Sequence, residues 1–266
     1  MESHNSHRAG IVLAAAGSTS PHAHRAYCQI DNLVRQRFPD YAIVWTFTSE
    51  RVRTPTVSGQ KAAKGADNAL KQLAALGVER TAVQSLHVIP GGEYNKLVTA
   101  VETCRAGQVR EFSHVSIGAP LLQSDDDIRR VADALMETAP EEPSSRTGLI
   151  FVGHGTPHPG GAAYARLSAA LKKRNRRAFL GMIESRPAAA DVAAECRVAG
   201  IDQAWLIPLM AVAGHHVRKD LAGAHEDSWQ SVMSSNGIAA EVVMEGLLEN
   251  GRVVDLWMEH LERALS

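Results

Sequence analysis

The chain has 266 residues, 45% of them apolar, and a formal net charge of −1. That length suits one large domain or two of about 130 residues, either of which can bury a core. Nothing in the charge balance supports nucleic-acid binding or a polybasic membrane surface, and no apolar run reaches the ~18 residues that span a bilayer. The polar leader 1–10 runs straight into a strand with no signal peptide visible, so the expected location is cytoplasmic; a mature periplasmic form would read the same way. Cys28, Cys104 and Cys196 are widely spaced and in no CxxC pattern, which argues against a disulfide framework or a structural zinc.

In chain order, residues 11–16 read as a buried strand ending at Gly17-Ser18-Thr19, followed by a helix over 22–37. A strand is expected over 41–47. Residues 56–76 are rich in Ala, Lys and Gln at helical spacing, with Gly77 as the stop. A third strand spans 81–89 and closes on Pro90-Gly91-Gly92; a helix covers 94–104 and a fourth strand 114–117. Residues 125–136 form a helix whose acidic first turn suits the helix dipole.

The segment TAPEEPSSR, 138–146, is rich in Pro, Ser and Glu and reads as a linker. After it the pattern repeats: strand 148–152, helix 161–174, strand 178–183, helix 188–199, strand 204–209, helix 217–235, strand 239–243 and helix 252–265. Alternating strands and helices imply parallel sheets. The expected fold is α/β, with two similar Rossmann-like domains, each a parallel sheet flanked by helices. The boundaries are 1–138 and 148–266, with 139–147 as linker; the last helix, 252–265, is free to pack on the N-terminal domain.

The stretch GLIFVGHGTPHPGG, 148–161, organises the second half. An apolar run breaks at Gly153-His154-Gly155, which places an imidazole at the carboxyl end of a buried strand. Ligands of open α/β sheets bind at that end.

The halves can be laid on one another at the strand ends. GIVLAAAGS (10–18) matches GLIFVGHGT (148–156), TFTSE (46–50) matches MIESR (182–186), and SLHVIPGGEY (85–94) matches PLMAVAGHHV (208–217). GAPLL (118–122) and MEGLL (244–248) match less well. At the three best ends the first half carries Ala16, Thr48 and Glu93, and the second carries His154, Glu184 and His216. Carboxyl ends of one parallel sheet share one rim, so the latter three can converge. Two imidazoles and a carboxylate suit a first-row divalent metal and leave coordination positions open, as for an ion that is used or passed on. His215 is a candidate supporting group behind the ligands, or a base, and His158 a rim residue; the plain alternative for His158, His215 and His225 is a solvated surface histidine. His87, inside an apolar strand, reads as buried and hydrogen-bonded. Glu93 is either a carboxylate facing the same site or a residue favoured by the helix dipole.

The segments FTSE (47–50), QSLHVIPGGEY (84–94), GAPLL (118–122), VGHGTPHP (152–159), ESRP (184–187), PLMAVAGHH (208–216) and DSW (227–229) give the chain a resemblance to the anaerobic-type sirohydrochlorin cobaltochelatases. These are relatives of ferrochelatase among the class II chelatases. The resemblance implies two similar α/β domains with a tetrapyrrole cleft, the family's metal-binding histidines falling on His154 and His216 and its carboxylate on Glu184. It implies insertion of Co²⁺, as substrate metal, into sirohydrochlorin with release of two pyrrole protons, in the anaerobic cobalamin (or sirohaem) pathway. No organic cofactor, nucleic acid or membrane is implied, and a homo-oligomer is left open. His154 and His216 would act as ligands and bases, and Glu93 as a further catalytic proton acceptor. Sirohydrochlorin is a polycarboxylate, so Arg51, Arg53, Arg186 and Arg218, which follow strand ends, with His215, are candidate substrate-binding residues; a solvated surface position is the plain alternative for each arginine. Relatives can carry an acid where His215 stands, which leaves metal preference and pH dependence open.

Three rival readings stand beside this. One is insertion of Fe²⁺ or Ni²⁺ by the same fold. Another is a histidine phosphatase, disfavoured because Gly153 stands where an arginine is wanted. The last is a non-enzymatic metal or tetrapyrrole carrier.

Overall fold

A computed structural model describes residues 9–49, 56–108, 112–142 and 144–266. Arg51 and Arg53 therefore lie outside the described residues. In order, the elements are β1 (Ala9–Ala15), α1 (Pro21–Arg37), β2 (Tyr41–Phe47), β3 (Thr56–Val57), β4 (Gln60–Lys61), β5 (Ala63–Lys64), α2 (Ala66–Ala75), β6 (Arg80–Ser85), α3 (Gly92–Thr103), β7 (His114–Gly118) and α4 (Asp125–Glu137). They continue with β8 (Thr147–Gly153), α5 (Ala162–Arg174), β9 (Ala178–Met182), α6 (Ala189–Val198), β10 (Gln203–Leu209), α7 (Trp229–Ser235), β11 (Ala239–Val242) and α8 (Gly251–Leu265). Among the described residues no helix is long and apolar enough to cross a membrane.

The chain divides into two compact units, Met1–Leu121 with Trp257–Ser266, and Leu122–Leu256. These limits differ from 1–138 and 148–266. Helix α4, which a Ser124–Asp127 capping box starts, counts with the second unit because it lies on α5. There Arg166 holds Asp125 at 2.6 Å, Arg174 holds Asp133 at 2.5 Å, and Arg174 also donates to the Arg129 carbonyl. The segment read as a linker is likewise tied to the second unit, since the Glu142 carboxylate accepts from Asn175 and Arg177 and the Glu141 carbonyl from Trp205. The last turns of α8 belong to the first unit. His260 bonds the Ala119 carbonyl, and Ser116 donates to the Ala264 carbonyl.

Both units are Rossmann-like. The first holds a parallel sheet in the order β5-β2-β1-β6-β7, the second one in the order β11-β10-β8-β9. Read from the same end, β2-β1-β6-β7 and β9-β8-β10-β11 are one topology, so the internal repeat is visible in strand order. The central strands β1 and β8 are buried along almost their whole length, as their unbroken apolar runs require. Each fully buried large side chain there, such as Phe151 or Leu13, contributes about 1.5–3 kcal/mol.

The register refines the overlay of the halves. Ser49 N–H donates to the Ala16 carbonyl and Glu184 N–H to the His154 carbonyl, so Ser49, not Thr48, occupies the place of Glu184. The third match holds without a shift: Ser85 pairs with Ala14 as Pro208 pairs with Val152, which places Glu93 and His216 at equivalent positions. The weakest match is sound at its leucines, because Leu121 donates to the His87 carbonyl as Leu247 donates to that of Met210.

Two expected helices are shorter in the structure. Over 56–76 only α2 is helical. Ser58 and Gly59 take positive φ and turn β3 antiparallel onto β4, and Gly65, with φ 86°, blocks extension of α2 toward the N-terminus. Over 217–235 a wide helical turn, Val217–Leu221, is separated from α7, which starts afresh on the Ser228 N-cap. The expected strand 81–89 ends at Ser85.

Candidate metal centre

The second unit brings His154, Glu184 and His216 to the carboxyl rim of three adjacent strands. His154 follows the central strand β8 directly. Glu184 lies two residues beyond its neighbour β9, and His216 follows the loop that leaves β10 on the other side. The ladder continues past the strands, with Ile183 N–H on the Gly153 carbonyl at 3.0 Å and Glu184 N–H on that of His154 at 2.8 Å. This close approach depends on Gly155. Its φ is +83°, and a Cβ there would stand 2.5 Å from Ser185 Oγ. On the other flank Gly246 packs backbone to backbone against Val212, where a Cβ would come within 2.5 Å of the Val212 Cα. That contact fixes the loop carrying His216.

His154 Nε2 lies 3.5 Å from Glu184 Oε1, and the rings of His154 and His216 meet edge to face with centroids 4.7 Å apart. An ion that bonds a histidine nitrogen and a carboxylate oxygen at about 2.0–2.2 Å in tetrahedral geometry holds those atoms roughly 3.4 Å apart. The first pair is therefore already near ligand spacing. Among the described residues no group of three or more His, Cys, Asp or Glu side chains already stands in position to hold a metal ion. The three side chains are open to solvent, with exposures of 41% for His154, 57% for Glu184 and 41% for His216.

Both rings are held through Nδ1. His154 Nδ1–H donates to the Gly155 carbonyl at 3.1 Å, and His216 Nδ1–H donates to Asp220 Oδ2 at 2.7 Å. That tautomer leaves the Nε2 lone pairs for a metal. Asp220 was missed in the sequence; its signal was the i, i+4 spacing from His216 on a short helical turn. Replacing a carboxylate behind a ligating histidine typically costs about 10–100-fold in metal affinity. Asp220→Asn is expected to weaken Co²⁺ binding by that order without unfolding the chain, as titration calorimetry beside a thermal melt would show.

The other candidates fall as follows. His215 is exposed beside His216, its ring centroid 6.1 Å from that of His216. Arg218 is exposed on the same turn. Arg186, 82% exposed, is paired with Asp191 at 2.6 Å. His158 caps the turn Pro159–Gly161 by accepting from Gly160 N–H, and His225 donates to the Lys219 carbonyl; both bonds are local. Glu93 belongs to the first unit, in the first turn of α3. One of its oxygens holds Lys96 at 3.0 Å, and the other is covered and without a hydrogen-bond partner. His87 is buried between Thr48 Oγ1 at 3.0 Å and Ser85 Oγ at 2.9 Å, as expected of a structural histidine.

A family model described as cobalt chelatase (CbiK) matches residues 9–266. The chain is 34% identical over 260 residues to the sirohydrochlorin cobaltochelatase CbiKC of Nitratidesulfovibrio vulgaris, covering 97% of this chain and 90% of that protein. It is 35% identical over 198 residues to the sirohydrochlorin cobaltochelatase of Salmonella typhimurium, covering 74% and 73%. Among solved structures, SirB from Bacillus subtilis with Fe3+ superposes with a TM-score of 0.69 over 97% of this chain and 96% of that one, at 10% identity; that likeness speaks for the fold alone. With a match along nearly its whole length, the chain belongs to the cobalt chelatase family.

Proposed function

We propose that this chain is a sirohydrochlorin cobaltochelatase, inserting Co²⁺ into the macrocycle with release of two pyrrole protons in the anaerobic cobalamin pathway. The observation that carries the reading is the convergence of His154, Glu184 and His216 on one strand rim, in a chain of this family. In this reading the two Nε2 atoms and the Glu184 carboxylate hold Co²⁺ while its remaining positions stay open to pyrrole nitrogens. As the ring takes the ion, imidazole nitrogens released from it accept the departing protons. Glu93 is the second proposed proton acceptor, on the strength of its equivalence in register to His216 and its unpartnered oxygen. Arg186, Arg218 and His215 are proposed contacts for the substrate carboxylates. The reaction moves no electrons, so it needs no organic cofactor.

Anaerobic absorbance of sirohydrochlorin with Co²⁺, at substrate well above enzyme, tests the proposal. Many turnovers faster than the spontaneous rate are expected. Stoichiometric binding of ring or metal with no rate above buffer would replace the enzyme by a carrier, and faster insertion of Fe²⁺ or Ni²⁺ would reassign the metal.

A further inference from the structure

The first unit carries a histidine and a cysteine that the chelatase reading does not use. On α1 the core face is Ala23, Ala26, Tyr27, Ile30, Asp31 and Val34. His24 and Cys28 lie outside it, four residues and so about one turn apart. His24 is exposed, Cys28 is partly exposed, and Cys28 Sγ stands 3.6 Å from His24 Nε2. A tetrahedral divalent ion with sulfur at about 2.3 Å and imidazole nitrogen at about 2.0–2.1 Å separates those two atoms by roughly 3.6 Å. The pair already stands at that spacing.

We propose that His24 and Cys28 form a second divalent-metal site, in which Cys28 Sγ and His24 Nε2 are the protein ligands and water completes the shell. The ligand class is a borderline-soft first-row cation such as Co²⁺ or Zn²⁺, because a thiolate and an imidazole favour these over Mg²⁺ or Ca²⁺. Binding there displaces the thiol proton to solvent as the Co–S bond forms. The other two cysteines do not compete. Cys104 and Cys196 are buried, and burial pushes both thiols up, that of Cys196 to about 12. A plain sulfur–nitrogen hydrogen bond is the alternative account of the contact.

A cobalt–thiolate bond has a near-ultraviolet charge-transfer band that nitrogen and oxygen ligands do not produce. The purified chain is titrated with Co²⁺ alone, anaerobically, with a phosphine reductant. The band is expected to saturate by two Co²⁺ per chain in wild type, whose rim also takes an ion, to saturate at one in His154→Ala, where that centre is impaired, and to vanish in Cys28→Ser. In His24→Ala its apparent dissociation constant should rise about tenfold or more. Both residues lie off the core face of α1, so both variants are expected to fold, which a thermal melt of each checks. A wild type without the band, a band that survives Cys28→Ser, or one that saturates at half an ion per chain would overturn the site. The readout is binding and not turnover, so it is independent of whether the chain proves a chelatase.

Discussion

His154→Ala is expected to bring Co²⁺ insertion into sirohydrochlorin down to the spontaneous rate. Loss of a partner behind a ligating histidine typically costs about 10–100-fold, so loss of the ligand itself should cost at least about 100-fold. The fold should not notice: the side chain is 41% exposed, and its bond is to the adjacent Gly155 carbonyl. Exposed substitutions of this kind stay within about 0.5 kcal/mol of wild type. His154 also lies between the other two candidates, near Glu184 on one side and ring to ring with His216 on the other. No other single change should disturb the set as much. The check is steady-state insertion assayed beside a thermal melt. An unchanged melt with activity reduced to background is the expected pair, and activity within a few-fold of wild type would remove His154 from the chemistry.

The first unit should lose stability in mild acid because of His87. Burial, the largest cause, drives its imidazole down from 6.5 to about 4; Glu93 nearby opposes that and Lys96 adds to it. The folded state therefore keeps His87 neutral where the unfolded chain has begun to protonate it. Above pH 6.5 neither state binds the proton and stability is unaffected. As pH falls from 6.5 toward 4 only the unfolded chain gains it, and stability drops until folded His87 charges as well. A gap of this size corresponds to about 3 kcal/mol. Urea unfolding at pH 7 and pH 4.5 should show the loss in wild type and a smaller loss in His87→Gln, which keeps hydrogen-bonding capacity for Ser85 and Thr48. Equal losses in the two proteins would mean that His87 titrates normally.

The strands were legible because a strand buried on both faces must be an unbroken apolar run, and 11–16 and 148–152 are such runs. The closeness of His154, Glu184 and His216 was legible because the repeat put all three at ends of strands that one parallel sheet must bring to one rim. The Thr48 pairing erred by one residue, since register is set by the ladder and TFTSE against MIESR offers little to fix it. The helix expected over 56–76 failed on backbone geometry. Ala, Lys and Gln spacing favours a helix, but the Ser58-Gly59 turn and Gly65 act through φ, which composition does not reveal. Asp220 escaped because its role follows from a ring nitrogen direction that only coordinates supply.

Anomalous diffraction at the cobalt edge, recorded from a crystal of the chain soaked with Co²⁺, shows where the metal binds. A peak is expected within about 2.0–2.2 Å of His154 Nε2, His216 Nε2 and a Glu184 carboxylate oxygen. Cobalt bound elsewhere on the chain, with that rim empty, would contradict the proposed ligand set.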